Sequence, residues 1–252
     1  MPSSFSITDT GRRRKMNQDY VFSSDIPVGP LPNLYIVADG MGGHNAGDYA
    51  SRYTVDHVAA AVGATGMSKS DPAAILAEAL KDANQKLREI AAKDESLFGM
   101  GTTFVSASVR DGRLLAANVG DSRLYILRGP ERIRQITVDH SYVEEMVQAG
   151  RIDRETARTL PDKNIITRAV GAEDDLTVDF FREDLTEGEL LLLCSDGLTN
   201  MLTDEEIVRI VFSYRNLEDA ADRLIYEANM AGGQDNISAI LVNPFEAYSL
   251  YR

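Results

Sequence analysis

Between Thr103 and Thr137 the hydrophobic pattern adopts a period of two, and no other stretch restricts the possible folds as strongly. Thr103–Val109, Arg113–Val119, Ser122–Leu127 and Ile133–Thr137 read as four strands with tight connections. Asp111-Gly112, a favoured hairpin turn, joins the first two. Further strands are expected at Phe5–Thr8, Tyr20–Ser23, Leu34–Ala38, Leu176–Phe181, Glu189–Cys194 and Ile237–Val242. Helical spacing of apolar residues marks Gly47–Val62 and Pro72–Lys93, the second with Asp71 as N-cap. Two more helices are expected near 203–213 and 216–231, the first opened by a Thr203/Glu206 capping box. Residues 140–170 read as helical, then irregular, with Asp153 heading a short helix that Pro161 ends. Hairpin-linked strands flanked by helix pairs indicate antiparallel sheets covered by helices, an α+β layered architecture.

No low-complexity linker or repeat divides the 252 residues, so one domain spanning 1–252 is expected. Lys and Arg total 26 against 39 Asp and Glu, a net charge of −13. That balance disfavours nucleic-acid backbones and anionic membranes, both of which need a basic face. A single cysteine, Cys194, permits no internal disulfide, and with three histidines it makes no plausible zinc site. The longest apolar run, Leu190–Cys194, is far short of a membrane span, and no apolar segment follows the basic start. A soluble, reduced, cytoplasmic protein is expected, with no membrane insertion.

Several carboxylates follow apolar runs or sit in glycine-punctuated turns. Asp39 ends LYIVADG, Asp196 ends LLLLCSDG, Asp121 sits in NVGDSR, Asp235 in GGQDN, and Asp19 in NQD before a strand. Each alone reads as a turn or cap residue, as Asp111 does. Together they could converge on one rim of a sheet, where they would repel unless a cation neutralised them. Oxygen donors of this kind suit Mg²⁺ or Mn²⁺. The run DGMGGHNAGDYAS, with its closely spaced glycines, permits close backbone approach to a ligand.

Taken together, GRRRKMNQD, VADGMGGHNAGDYAS, GMGTTF, NVGDSRLY, LLLCSDGLT and GGQDNIS, in this order, resemble the metal-dependent Ser/Thr protein phosphatases, the PPM or type 2C family. The match is closest to its bacterial single-domain branch and runs from about residue 5 to 242. The resemblance implies a four-layer α-β-β-α sandwich, two antiparallel sheets flanked by helices, with a mobile flap at about 141–170. It implies two Mn²⁺ or Mg²⁺ ions, with Asp39 shared between them. Asp39, Asp196 and Asp235 gather around the first, while Asp39, the carbonyl of Gly40 and the Asp19 region gather around the second. Asp121 with Asp196 holds a weaker third. Arg14 matches the arginine that grips the substrate phosphate, a task suited to a planar guanidinium. A water bridging the two ions attacks phosphorus directly, with no phosphoenzyme. The implied partners are phosphoserine and phosphothreonine proteins and a cognate Ser/Thr kinase, and the implied state is a monomer.

Two positions depart from the family pattern. Met41 stands where many animal relatives have a candidate acid histidine, leaving His44 to protonate the leaving group through water or to serve structurally. Gln18 stands where some relatives have Glu. These departures keep alive a rival reading, a catalytically weak phosphoprotein-binding sensor or scaffold, and a third, a phosphohydrolase of small molecules. His57 reads as structural, Asp139-His140 as N-cap and flap anchor, and Cys194 as a small strand hydrophobe. Arg151, Arg154, Arg158, Lys163 and Arg168 give the flap enough positive charge to meet acidic phosphopeptides, unless they form a solvated face. The tail aromatics Phe245, Tyr248 and Tyr251 read as packing on the body. Phosphate-loop, H-E-x-x-H, G-x-S-x-G and C-x₅-R motifs are absent, and Ser195 lacks a recognisable histidine partner.

Overall fold

Side-chain alternation along the strands sets the layering. The computed structural model describes residues 2–43, 46–66 and 71–245, without the side chains of residues 158, 159, 161 and 163. One sheet contains β1 (Ser3–Asp9), β11 (Ile237–Asn243), β10 (Glu189–Cys194), β7 (Arg123–Arg128) and β8 (Ile133–Gln135), in that order. The other contains β2 (Asp19–Ser24), β3 (Leu34–Met41), β5 (Phe104–Arg110), β6 (Arg113–Val119) and β9 (Asp179–Asp184), with the short β4 (Gly101–Thr102) paired to the end of β3. Every strand pair is antiparallel.

In β3 the residues Leu34, Ile36 and Ala38 face α1 (Ala46–Ala64) and α2 (Pro72–Ala91), whereas Tyr35 and Val37 face the opposite sheet. Likewise Leu191 and Leu193 of β10 and Ile240 and Val242 of β11 point between the sheets. Their neighbours Leu192, Cys194 and Leu241 pack beneath α6 (Asp204–Ser213) and α7 (Leu217–Met230). Three apolar layers therefore separate four structural ones, and the α-β-β-α sandwich expected from the sequence is what forms. Cys194 is fully buried in its strand.

Local signals explain the boundaries. Asp111 and Gly112 both take positive φ, 52° and 73°, as a tight hairpin turn between β5 and β6 requires. Asp71 caps α2 by accepting from Ala73, and Thr203 with Glu206 closes the capping box of α6. Phe245 packs against the inter-sheet core, while Tyr248 and Tyr251 lie outside the described residues.

Three expectations are corrected. The strand placed at Leu176–Phe181 begins only at Asp179, because Leu176 is drawn into the core beside α2 and pairing with β6 starts at Asn118↔Asp179. Ser141, not Asp139 or His140, caps α3 (Tyr142–Gln148), its hydroxyl accepting from Glu144. Asp196 is not a turn residue but the first residue of a one-turn helix, α5 (Asp196–Thr199).

That helix seats on the turn before β11: a Cβ added at Gly197 would lie 1.9 Å from the carbonyl oxygen of Asn236. Gly197→Ala should therefore destabilise the fold by about 1–3 kcal/mol through overpacking. The readout is a lowered urea midpoint with an unchanged slope; an unchanged midpoint would show that the two segments do not press together.

Candidate functional site

The inward face of the sandwich turns polar at one end. Continuing the parity of Tyr35 and Val37 puts Asp39 on the inter-sheet face, and Asp19 stands directly across from it in the β2–β3 register. From the other sheet, Ser195 and Ser238 extend the inward rows of β10 and β11, and each donates to Asp19 Oδ2 at 2.7 Å. Thr103 accepts from the Asp39 amide at 2.8 Å and shares a hydrogen bond with Ser122 at 2.7 Å. Asp121 follows in the β6–β7 turn, Asp196 opens α5, and Asp235 precedes β11.

These carboxylates perturb one another. Burial pushes Asp19 up to about 7, helped by the charges of Asp196 and Asp235. Burial and then the neighbouring aspartates hold Asp39 well above the usual carboxylate range. Asp121 is raised by burial and by Asp196, and Asp196 by burial and by Asp235. Asp196 bonds to Asn200 at 2.8 Å and lies within hydrogen-bond reach of Asp39. Asp19 Oδ1, Asp121 Oδ1 and Asp196 Oδ1 are buried without a hydrogen-bond partner. An orphaned buried carboxylate oxygen is costly, and several sharing one site call for a cation. The donors are all oxygens, so the residues fit a hard divalent ion such as Mg²⁺ or Mn²⁺. Yet among the described residues no three His, Cys, Asp or Glu side chains already stand as a chelating group. They have protein partners instead: Ser195 and Ser238 on Asp19, Asn200 on Asp196, and Arg14 on Asp235.

Arg14 reaches Asp235 Oδ2 at 2.7 Å with its side chain 50% exposed. The loop that carries it is held by Asn236. Its amide nitrogen donates to the carbonyls of Thr10 and Met16, and its oxygen accepts from the Gln18 amide. Gln18 in turn accepts from Gly40 N–H and from the Ser51 hydroxyl, which locks this loop against β3 and α1. Met41 lies beside Gly101 of β4. His44 lies outside the described residues. The structure thus brings Asp19, Asp39, Asp121, Asp196 and Asp235 to one rim, with Gly40 beside Asp39 and Arg14 against Asp235.

The sequence reading gave no supporting role to Thr103, Ser122, Asn236 and Ser238, and weighed Ser195 only as a nucleophile. Their signal was strand parity: Thr103, Ser195 and Ser238 are polar residues at positions where an inward row should be apolar. Two cations of the basic flap are paired within the protein. Arg154 is taken up by both oxygens of Glu144 and Arg168 by Asp179, so neither is a free cation. Arg151 is exposed, and the side chains of Arg158 and Lys163 lie outside the described residues. His57 bonds Asp82 and stacks on Tyr53 along α1, away from the rim. A cleft of about 170 Å³ opens beside the cluster, between Asp121 and Asp196 on one side and Glu144 and Arg154 on the other. Larger hollows exist, such as one of about 640 Å³ near Arg110 and Arg113, but they contain none of these carboxylates.

Residues 10–237 match the family model described as Protein phosphatase 2C. The chain is 41% identical over 238 residues to the protein phosphatase PhpP of Streptococcus pneumoniae, covering 94% of this chain and 95% of that one. It is similar to the structure of the S. agalactiae serine/threonine phosphatase, with a TM-score of 0.89, 37% identity, and coverage of 96% and 99%. It is also similar to the catalytic domain of the serine threonine protein phosphatase PstP, described in complex with two manganese ions. There the TM-score is 0.82, the identity 30%, and the coverage 96% and 97%.

Raised carboxylate values carry a signed consequence. The folded state binds more protons than the unfolded chain between the ordinary value of 3.8 and the folded value near 7 of Asp19. Stability from this source is therefore full below the lower value and lost as pH rises through the upper one. Chelator-treated protein should melt at falling temperature as pH is raised from about 5 to about 8, and Asp39→Asn should flatten that slope. A slope unaltered by the substitution would show that the cluster is not its source.

Proposed function

The chain belongs to the protein phosphatase 2C family, and from that membership and the rim geometry we propose that it is a metal-dependent protein serine/threonine phosphatase. It hydrolyses phosphoserine and phosphothreonine in proteins by direct attack of water on phosphorus, opposing a Ser/Thr kinase in the cytoplasm. The observation that carries the reading is the set of buried, mutually repelling carboxylates with orphaned oxygens beside an exposed arginine. Among the described residues no helix is long and apolar enough to cross a membrane.

Asp39, Asp196 and Asp235 are the proposed ligands of one ion. Asp39 and the Gly40 carbonyl serve a second, with Asp19 in support, and Asp121 with Asp196 serves a weaker third. When bound, such ions supply Lewis acidity and lower the pKa of water enough for attack near neutral pH. Asp19 is suited to support because Ser195 and Ser238 already occupy one of its oxygens and leave the other free to face the site. Arg14 holds Asp235 through one nitrogen and is half-exposed, which leaves donors for a phosphate dianion. Its guanidinium orients the phosphoryl group and offsets charge on its equatorial oxygens. The thiol of Cys194 is pushed far up by burial in its strand and serves as no nucleophile.

Phosphopeptide turnover should vanish with a chelator and return with Mn²⁺. Asp39→Asn and Asp196→Asn should each lower kcat/KM beyond the roughly 100-fold that loss of a supporting partner costs. Undiminished turnover in either variant would refute the site. Faster turnover of nucleotides than of phosphopeptides would move the substrate class to small molecules, and tight phosphopeptide binding with background turnover would make the protein a sensor.

A further inference from the structure

His140 is a four-way junction, 7% exposed, where the segment containing α3 and α4 (Arg154–Thr159) leaves the body of the protein. Its backbone N–H donates to the Gly120 carbonyl at 2.9 Å, and its own carbonyl accepts from Thr167 at 2.8 Å. Its ring Nδ1 accepts from the Gly120 N–H at 3.0 Å. In the neutral ring that leaves the proton on Nε2, which donates to Asp179 Oδ2 at 3.1 Å. Arg168 Nη1 donates to the other oxygen of Asp179 at 2.9 Å and lies 3.0 Å from the same Nε2, so guanidinium and imidazole share one carboxylate. Through ring and backbone together, His140 therefore joins β9, the returning end of the α3–α4 segment, and the N–H and carbonyl of Gly120.

Gly120 is the residue before Asp121. It has a φ of 103°, and a Cβ there would lie 2.6 Å from Thr103 Cγ2, so the turn is already pressed against Thr103, the residue between β4 and β5. On the far side of Asp121, Ser122 is tied to Thr103, which holds the Asp39 amide. The Asp121 carboxylate itself is 6% exposed and has Oδ1 without a partner. No bond of its own fixes that oxygen, so its position is set by the anchors of Gly120 and Ser122.

We infer that His140 is a positioning residue for Asp121: its Nδ1 grips the Gly120 N–H, aims the Asp121 carboxylate at Asp196, and couples that aim to the α3–α4 segment. The inference rests on the function proposed above and adds a residue to its machinery. What matters on this account is an acceptor at the Nδ1 position, not the volume of the ring. Asn places its side-chain oxygen where Nδ1 lies, whereas Gln places its amide near Nε2 and leaves the Gly120 N–H unmet.

The test compares the full-length parent with His140→Asn, His140→Gln, Asp121→Asn and the His140→Gln/Asp121→Asn double variant. Each is titrated with Mn²⁺, read both as melting temperature and as phosphopeptide turnover. Asp121→Asn should remove the weaker phase of Mn²⁺ dependence. His140→Gln should shift that phase to roughly tenfold higher Mn²⁺, the lower end of what lost orienting partners cost a metal site. The double variant should match Asp121→Asn alone, and His140→Asn should track the parent. The inference is overturned if His140→Gln titrates like the parent, if His140→Asn is as impaired as His140→Gln, or if the double variant shows additive losses. A parent that never turns over phosphopeptides in Mn²⁺ would overturn the proposed function and this inference together. An active parent with an indifferent His140→Gln overturns this inference alone.

Discussion

Like charges forced together at the mouth of an apolar sandwich are the constraint that the rest of the structure accommodates. Asp19 and Asp39 face each other across two paired strands, at the end of inward rows that carry Tyr35 and Val37 on β3 and Val21 on β2. Neither sheet could tolerate this in its interior. At the rim the cost is contained because hydroxyls from the opposite sheet, Ser195 and Ser238, bond Asp19, and Thr103 anchors the strand carrying Asp39. The site is therefore not an addition on top of the fold. It is the end of the inter-sheet core, with polar residues substituted at the last inward positions.

Much of this was legible in the sequence, for identifiable reasons. Asp111-Gly112, Asp71 and Thr203 act through contacts within a few residues, so the local chain reveals the turn and the caps. The motifs around Asp39, Asp121, Asp196 and Asp235 point to one site because their residue types make sense only in company. What escaped reading depended on partners distant in the chain. The start of β9 is fixed by Asn118, not by the apolar run at Leu176. Ser141 rather than Asp139 caps α3 because Asp139 is committed to Arg123 through three hydrogen bonds. For Arg154 and Arg168 the sequence left open a free or a solvated charge, because their partners Glu144 and Asp179 lie ten or more residues away.

Asn236 shows how much of the site is secured by residues that need not touch a substrate. Through three hydrogen bonds it fastens the loop carrying Arg14 to the turn carrying Asp235. The ion pair between those two residues then forms between segments already held in place, which lowers the backbone entropy still to be lost on contact. His140 does the same for the β6–β7 turn, adding to the bonds that Asn118 makes to Gly120 and Thr103 makes to Ser122. Preorganisation of this kind keeps repelling groups in place without requiring that they attract each other.

The pairing of β1 with β11 reaches further. Among the described residues β11 is the only hydrogen-bonded strand neighbour of β1, joining Ser3–Asp9 to Ile237–Asn243. During synthesis β1 must wait for β11, which is made far later, before that edge of its backbone is paired, and until then the edge invites wrong pairing. Asp235 and Asn236 arrive with that same late strand. A nascent polypeptide thus gains the partner of its β1 edge and the last carboxylate of the rim together, so a chain released before β11 is made lacks both.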